Sequence, residues 1–278
     1  MTPADHHRVR IIIPILLACA GYAFFNIGDS AIKMVAASMS VAQVFFLSSA
    51  SVLFCAGVYG ALIEGKKAFQ TRKPKLMLVR AVLSQINSLL NIIALPHIPL
   101  TTFYTLIFTS PLWVALLSSH FLGDKLEKKR IGVIFFGFLV VVFVFRPDGG
   151  AFNIWSLLVL VSALIYSIQL ILMRHIGPSE SRPFMLGSSS LLSILLSAPF
   201  VMLDGFIMPT PYEWGLFAIM GVTGTIGLLC IIHAFQAAPS AALIAPYHYT
   251  QILWGALIGY FIFQEVPTIS VVVGAFLI

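Results

Sequence analysis

Ten dense apolar stretches, separated by short turn-like breaks, occupy this chain almost end to end. They run over about 11–33, 41–63, 76–96, 100–122, 130–146, 153–174, 184–206, 213–236 and 241–263, with a last run from about 267. Each of the first nine matches the ~17–25 residues that a helix needs to cross a bilayer. The breaks hold turn formers, at Lys66–Lys75, Pro96–Pro99, Gly123–Lys129, Pro147–Gly150, Gly177–Pro183, Pro209–Pro211 and Pro239–Ser240. Strands of a membrane barrel would instead alternate over ~10 residues. Charged residues make up 9% of the chain, where a soluble domain carries ~25%. Most of the chain must therefore sit in a solvent that accepts apolar surface without penalty. The expected fold class is an all-α membrane protein with ten transmembrane helices. The tenth run has about a dozen residues before Ile278, too few to span, so the natural chain is expected to extend past that point.

A net charge of +6 would elsewhere point to nucleic acid. Here the basic residues fall in short blocks between apolar runs, which is how orientation signals are distributed. With the N-terminus in the cytoplasm, the inner segments hold Arg8, Arg10, Lys66, Lys67, Arg72, Lys73, Lys75, Lys125, Lys128, Lys129, Arg130, Arg174 and Arg182, thirteen of sixteen. Lys33 and Arg146 fall outside, and Arg80, one turn into the third helix, is expected to snorkel to the inner face. The reading is a multi-pass protein of the cytoplasmic (inner) membrane, with lipid as its environment and no nucleic-acid partner. Arg8 and Arg10 before Ile11–Ala18 imitate a secretory signal. The apolar run, however, continues past Cys19 to Ile27, too long for a signal core. Cys19, Cys55 and Cys230 all lie inside spans and read as small packing residues, not as disulfides or metal ligands.

The segment Thr-x-x-Leu-Trp-x-Ala-Leu occurs at Thr109–Leu116 and again at Thr250–Leu257, 141 residues later, and Asp124 and Glu265 keep that spacing. A period near half the chain length implies duplication of a large unit. The copies fall in the fourth and ninth expected helices, five crossings apart, so they run in opposite directions. The expected domains are 1–146 and 153–278, two inverted five-helix repeats. Repeats of that kind characterise secondary transporters with a site near the membrane midplane.

At this point the chain resembles the drug/metabolite transporter superfamily, in its EamA-like ten-helix form. The resemblance covers the whole chain. It rests on the five-plus-five hydropathy, the tight connection Ala94-Leu95-Pro96-His97-Ile98-Pro99, and the segment Leu112–Leu126 that closes on Leu122-Gly123-Asp124. Phe263-Gln264-Glu265 repeats that close without the glycine. Pro111 fits a proline common there, whereas the second half has Ile252, with Pro246 earlier. The resemblance implies a helical basket around a central cavity that moves small metabolites without ATP.

An ionisable group at the centre of a span costs ~2.5–3.5 kcal/mol to insert, so polar residues inside the runs point to that cavity. Tyr22, Asn26, Asp29 and Lys33 share one face of the first helix, and Arg80, Ser84, Asn87 and Asn91 repeat the spacing on the third. Ser162, Tyr166 and Gln169 form a shorter stripe on the sixth. On the ninth, His248, Gln251, Gly255 and Gly259 share a face, with Tyr247 and Trp254 on the next. The candidate substrate-binding set is Tyr22, Asn26, Asp29, Asn87, Asn91, Tyr104, Tyr166, Gln169, Tyr247, His248, Gln251 and Trp254. The competing structural roles are an interfacial Asp29–Lys33 ion pair, amides bonding neighbouring helices, and a Gly255-x-x-x-Gly259 packing groove. His248 and His233 are the candidates for a coupling proton, the alternative being a counter-substrate.

Catalytic, cofactor and metal roles find no residues here. There is no Gly-x-x-x-x-Gly-Lys-[Ser/Thr], His-Glu-x-x-His or Gly-x-Ser-x-Gly, and no acid cluster for a metal. The expectation is a secondary transporter, monomeric or homodimeric, for a small, partly apolar metabolite such as an amino acid, vitamin or related compound. A channel or an intramembrane enzyme is the alternative.

Overall fold

The computed structural model describes residues 3–36, 38–94, 97, 103, 106–124, 128–145, 153–177 and 180–264. Among them all regular structure is helical, in nine long helices. These are α1 (Pro3–Val35), α2 (Val41–Ile63), α3 (Pro74–Ala94), α4 (Ser110–Leu122), α5 (Lys128–Phe145), α6 (Ile154–Ile176), α7 (Arg182–Asp204), α8 (Pro211–Ala237) and α9 (Thr250–Phe263). The expected tenth helix lies outside the described residues. Five helices, with spans Ile11–Val35, Val41–Ile63, Ile154–Ile176, Arg182–Asp204 and Pro211–Ala237, are long and apolar enough to cross a membrane. The chain is an all-α, multi-pass membrane protein.

Local chemistry sets where these helices begin. Ser40, Asn153, Ser181 and Thr210 each accept a hydrogen bond from the backbone N–H three residues on, satisfying donors that a helix start leaves open. At Thr210 the Glu213 carboxylate returns the bond, completing a capping box behind Pro211. Gly123 closes α4 at φ 67°, a left-handed conformation that costs other residues more. The ninth apolar run breaks where one helix was expected. A single turn, Ala241–Ile244, passes into a tighter 3-10 segment, Ala245–Tyr249, before α9 begins. Pro246 supplies no N–H and sits at the start of the 3-10 segment.

Close contacts fix the directions of the helices. Gly21 on α1 meets Gly227 and Ile231 on α8, and Gly28 meets Thr223, so these two are antiparallel. A Cβ on Gly21 would lie 2.9 Å from the Gly227 carbonyl oxygen, so only glycine permits the approach. The α3–α6 seam is antiparallel too. Ser162 Oγ lies 2.7 Å from Asn87 Oδ1 and 2.6 Å from Asn91 Oδ1, and His97 stacks on Trp155. Gly60 packs on Pro183 between α2 and α7. The other extended pairings are α2–α8, α3–α7, α1–α9 and α4–α6, and α4 also meets the Ala241–Tyr249 segment.

The connections sort to two ends. Thr71 and Arg72 bind Glu180, and Arg174 binds the turn after α8, at what we term the basic end. At the opposite end Ser38 binds Glu213, and Gln43 binds Ile207. Arg80 does not snorkel. It is 3% exposed and donates through Nη1 to the Met185 carbonyl (2.7 Å) and Ser189 Oγ (3.1 Å) on α7. Neutral acceptors within reach hold the guanidinium in place.

Candidate functional site

The aromatic and polar residues singled out from α1, α6 and the broken ninth run converge on His248. Its imidazole stacks on Tyr22 with centroids 4.8 Å apart and an interplanar angle of 20°. Phe108 meets it edge-on at 5.3 Å, and Tyr166 is tilted against it at 5.5 Å. Ser110 Oγ lies 2.9 Å from His248 Nδ1, and Gln251 borders the same ring. Ser167 Oγ on α6 donates to the Ser110 carbonyl at 3.1 Å, tying the start of α4 to α6. Tyr22 is fully buried and His248 is 5% exposed. The 3-10 segment matters because it interrupts helical regularity where His248 must turn towards α1 and α4.

Tyr247 and Trp254 pack against the core that holds Tyr22. Asn26 approaches α9 at Gly255, where an added Cβ would lie 3.3 Å from Asn26 Oδ1. Further along the stripe Lys33 Nζ sits 4.2 Å above the Phe263 ring. Asp29, between them in sequence, is exposed, as is Gly255. The α1–α9 seam is therefore dry at Tyr22 and less tightly packed towards the opposite end. Asn87 and Asn91 do not join this group. They meet Ser162 on the α3–α6 seam, and the stripe drawn on α3 divides, with Arg80 and Gln85 bound to α7. Tyr104 lies outside the described residues.

Four buried polar atoms in these helices have no hydrogen-bond partner of good geometry: Tyr22 Oη, Trp113 Nε1, Gln169 Nε2 and Trp254 Nε1. Tyr22 Oη neighbours Tyr166 without such a bond. All four can donate, and a buried donor left unpaired costs ~1–3 kcal/mol. Trp113 and Trp254 are the tryptophans of the two sequence copies. Among the described residues no group of three or more His, Cys, Asp or Glu side chains is placed to hold a metal.

Ser110, Phe108 and Ser167 were not picked as site residues from the sequence. Ser110 was nevertheless visible as the counterpart of Gln251 in the repeated segment. Phe108 and Ser167 carried no signal, because only packing brings them to the imidazole.

Residues 153–278 match the EamA-like transporter family. The S-adenosylmethionine uptake transporter of Rickettsia prowazekii is 29% identical over 241 residues, covering 87% of this chain and 80% of that protein. Over its second half the chain is similar to EamA-like transporters, and its relatives belong to the drug/metabolite transporter superfamily. The pseudopaline exporter of Pseudomonas aeruginosa is 24% identical, covering 95% of this chain and 92% of its own. A riboflavin transporter of Brucella anthropi is 22% identical over 77% of each chain. A solved crystal structure superposes with a TM-score of 0.77 over 97% of this chain and 93% of its own, at 15% identity, which is a likeness of fold. These relatives are named as transporters of small molecules, and this chain is, like them, a multi-pass membrane protein.

Proposed function

We propose that the protein is a secondary transporter that moves a small, partly apolar metabolite by alternating access, with residues 1–146 and 153–278 acting as inverted repeats. One observation carries this reading: the most extended helix pairings survive exchange of the two halves. Replacing each helix number n by n ± 5 turns α1–α8 into α3–α6, α2–α8 into α3–α7, and α1–α9 into α4–α6, and returns α2–α7 to itself. A duplicated and inverted unit accounts for such pairing, and rocking of one unit against the other is the motion it supports. The N-terminus is cytoplasmic in this reading, and the inner membrane is the location.

The substrate has a flat or apolar portion that stacks on Tyr22, Tyr166, Tyr247 and Trp254. Its acceptor groups take the donors of Gln169 and the indoles, and a basic group is met by Asp29. Asn26, Gln251 and His248 complete the wall, with Asn87 and Asn91 on the neighbouring seam and Tyr104 as a further aromatic. S-adenosylmethionine, pseudopaline and riboflavin, the cargoes named for the relatives, combine ring or amino-acid portions with polar ends, and cargo of that chemistry fits the wall.

The test is uptake of a metabolite panel into reconstituted vesicles, with and without a proton gradient. Saturable flux that Asp29→Asn and Gln251→Ala reduce, with membrane expression intact, is the expected result. Unchanged flux in both variants would remove the site assignment, and non-saturating flux with single-channel steps would replace the carrier by a channel.

A further inference from the structure

We infer that Arg174 and Asp124 form a clamp that holds the basic end of the bundle shut, and that its release opens the aromatic centre to that side; this rests on the transporter reading. Arg174, in the last turn of α6, donates through Nη1 to the carbonyls of Phe235 (3.0 Å) and Ala238 (2.7 Å), and through Nη2 to Pro239 (2.8 Å). These carbonyls lie at the C-terminal end of α8 and in the turn beyond it, where no further helical N–H is available to most of them. Asp124, just past α4, accepts from the Ala241 N–H at 2.9 Å and faces Arg174 Nη2 at 3.9 Å. Two side chains thus join α4, α6, α8 and the start of the broken ninth run.

The position of the clamp gives it consequence. Around it and towards His248 the core is dry, with Ile176, Phe235, Ala241 and Ile244 all at 0% exposure. At the opposite end of the α1–α9 seam Asp29 and Gly255 are exposed. The centre is therefore closed towards the basic end, while the α1–α9 seam carries its exposed groups towards the other. Separating α4 from the ninth run or α6 from α8 would admit water from the basic end, and the clamp spans both gaps. It is also built to break. The side chains are 17% and 9% exposed, so water can replace each bond as it parts. The Glu180 tether differs. At 4% exposure, it binds Thr71 Oγ1 at 2.7 Å and the Arg72 N–H at 3.0 Å, joining two peripheral turns that need not separate.

Cys19, half-buried beside Thr250 at the centre, is a built-in reporter once Cys55 and Cys230 are replaced by alanine. The experiment measures its rate of labelling by a membrane-impermeant maleimide in sealed vesicles of each orientation. Faster labelling from the outside is expected with the clamp intact. Asp124→Asn, which keeps an acceptor for Ala241, and Arg174→Gln should each raise the rate from the cytoplasmic side about tenfold and lower it from the outside. Unchanged rates in both variants overturn the clamp, as does an increase from both sides, which is general loosening. No substrate is needed, so shifted labelling in a protein that carries none of the metabolite panel would overturn the transport reading and leave the clamp.

Discussion

The two copies of the repeated segment begin differently, Ser110-Pro111 in one and Gln251-Ile252 in the other, yet both polar residues address the same imidazole. Ser110 is buried and reaches His248 Nδ1 at 2.9 Å, while the longer Gln251 is half-buried at its border. His248 itself has no twin, because the position 141 residues earlier is Ile107. The second half supplies the ring, two residues before its copy, and the first copy supplies the partner, which makes one site where a strict duplication would make two. The helix seams repeat the lesson. The α1–α8 pairing is closed by glycines in van der Waals contact, and the α3–α6 pairing by a serine between two asparagines. Equivalent pairings therefore leave one wall of the interior apolar and the other polar.

Four substitutions test that comparison. His248→Ala removes the stack on Tyr22 and leaves Ser110 without its side-chain partner. Transport in proteoliposomes should fall more than ~10-fold, equivalent to ~1.4 kcal/mol or more, and flux near the starting value would show that the centre does not depend on the unmatched ring. Gly21→Ala forces a Cβ against the Gly227 carbonyl and should cost ~1–3 kcal/mol, read as a lowered thermal midpoint in detergent. An unshifted midpoint would mean that the two seams do not differ in tightness. Ser162→Ala acts on the opposite seam, where a membrane hydrogen bond averages ~0.6 kcal/mol. A loss as large as that of Gly21→Ala would reverse the order of the seams. Gln251→Ser makes the second copy resemble the first at this position. Stability should hold, while preference among panel substrates moves ~2–5-fold, a modest change because one polar contact alters; an unaltered preference would argue that the asymmetry has no part in selection.

The α2 span was readable to the residue, because nothing but apolar length is needed to define it and Ser40 marks its start. Tyr22, Tyr166, His248 and Gln251 were chosen for lying on polar stripes, and the fold brings them together. Asn87 and Asn91 were chosen by the same rule and stand on another seam, since a stripe tells that a face is buried and not which helix covers it. Arg80 was misplaced for the same reason. Its acceptors on α7 lie 105 and 109 residues away, beyond any local pattern. The break at Ala245–Tyr249 was missed because Pro246 sits in a run apolar enough to be read as one helix.

Hydrophobic length, the basic blocks and the repeated segment are properties of the chain taken in order, and by themselves they set class, the approximate place of most helices and the expectation of duplication. Lipid makes that inference secure, because backbone polar groups in hydrocarbon must be satisfied within each helix. Only the tertiary structure decided that Ser110 partners His248, that glycines close one seam and amides the other, and that Arg174 and Asp124 meet at the turn after α8. Those are contacts between helices distant in sequence, and packing geometry selects them where apolar length cannot.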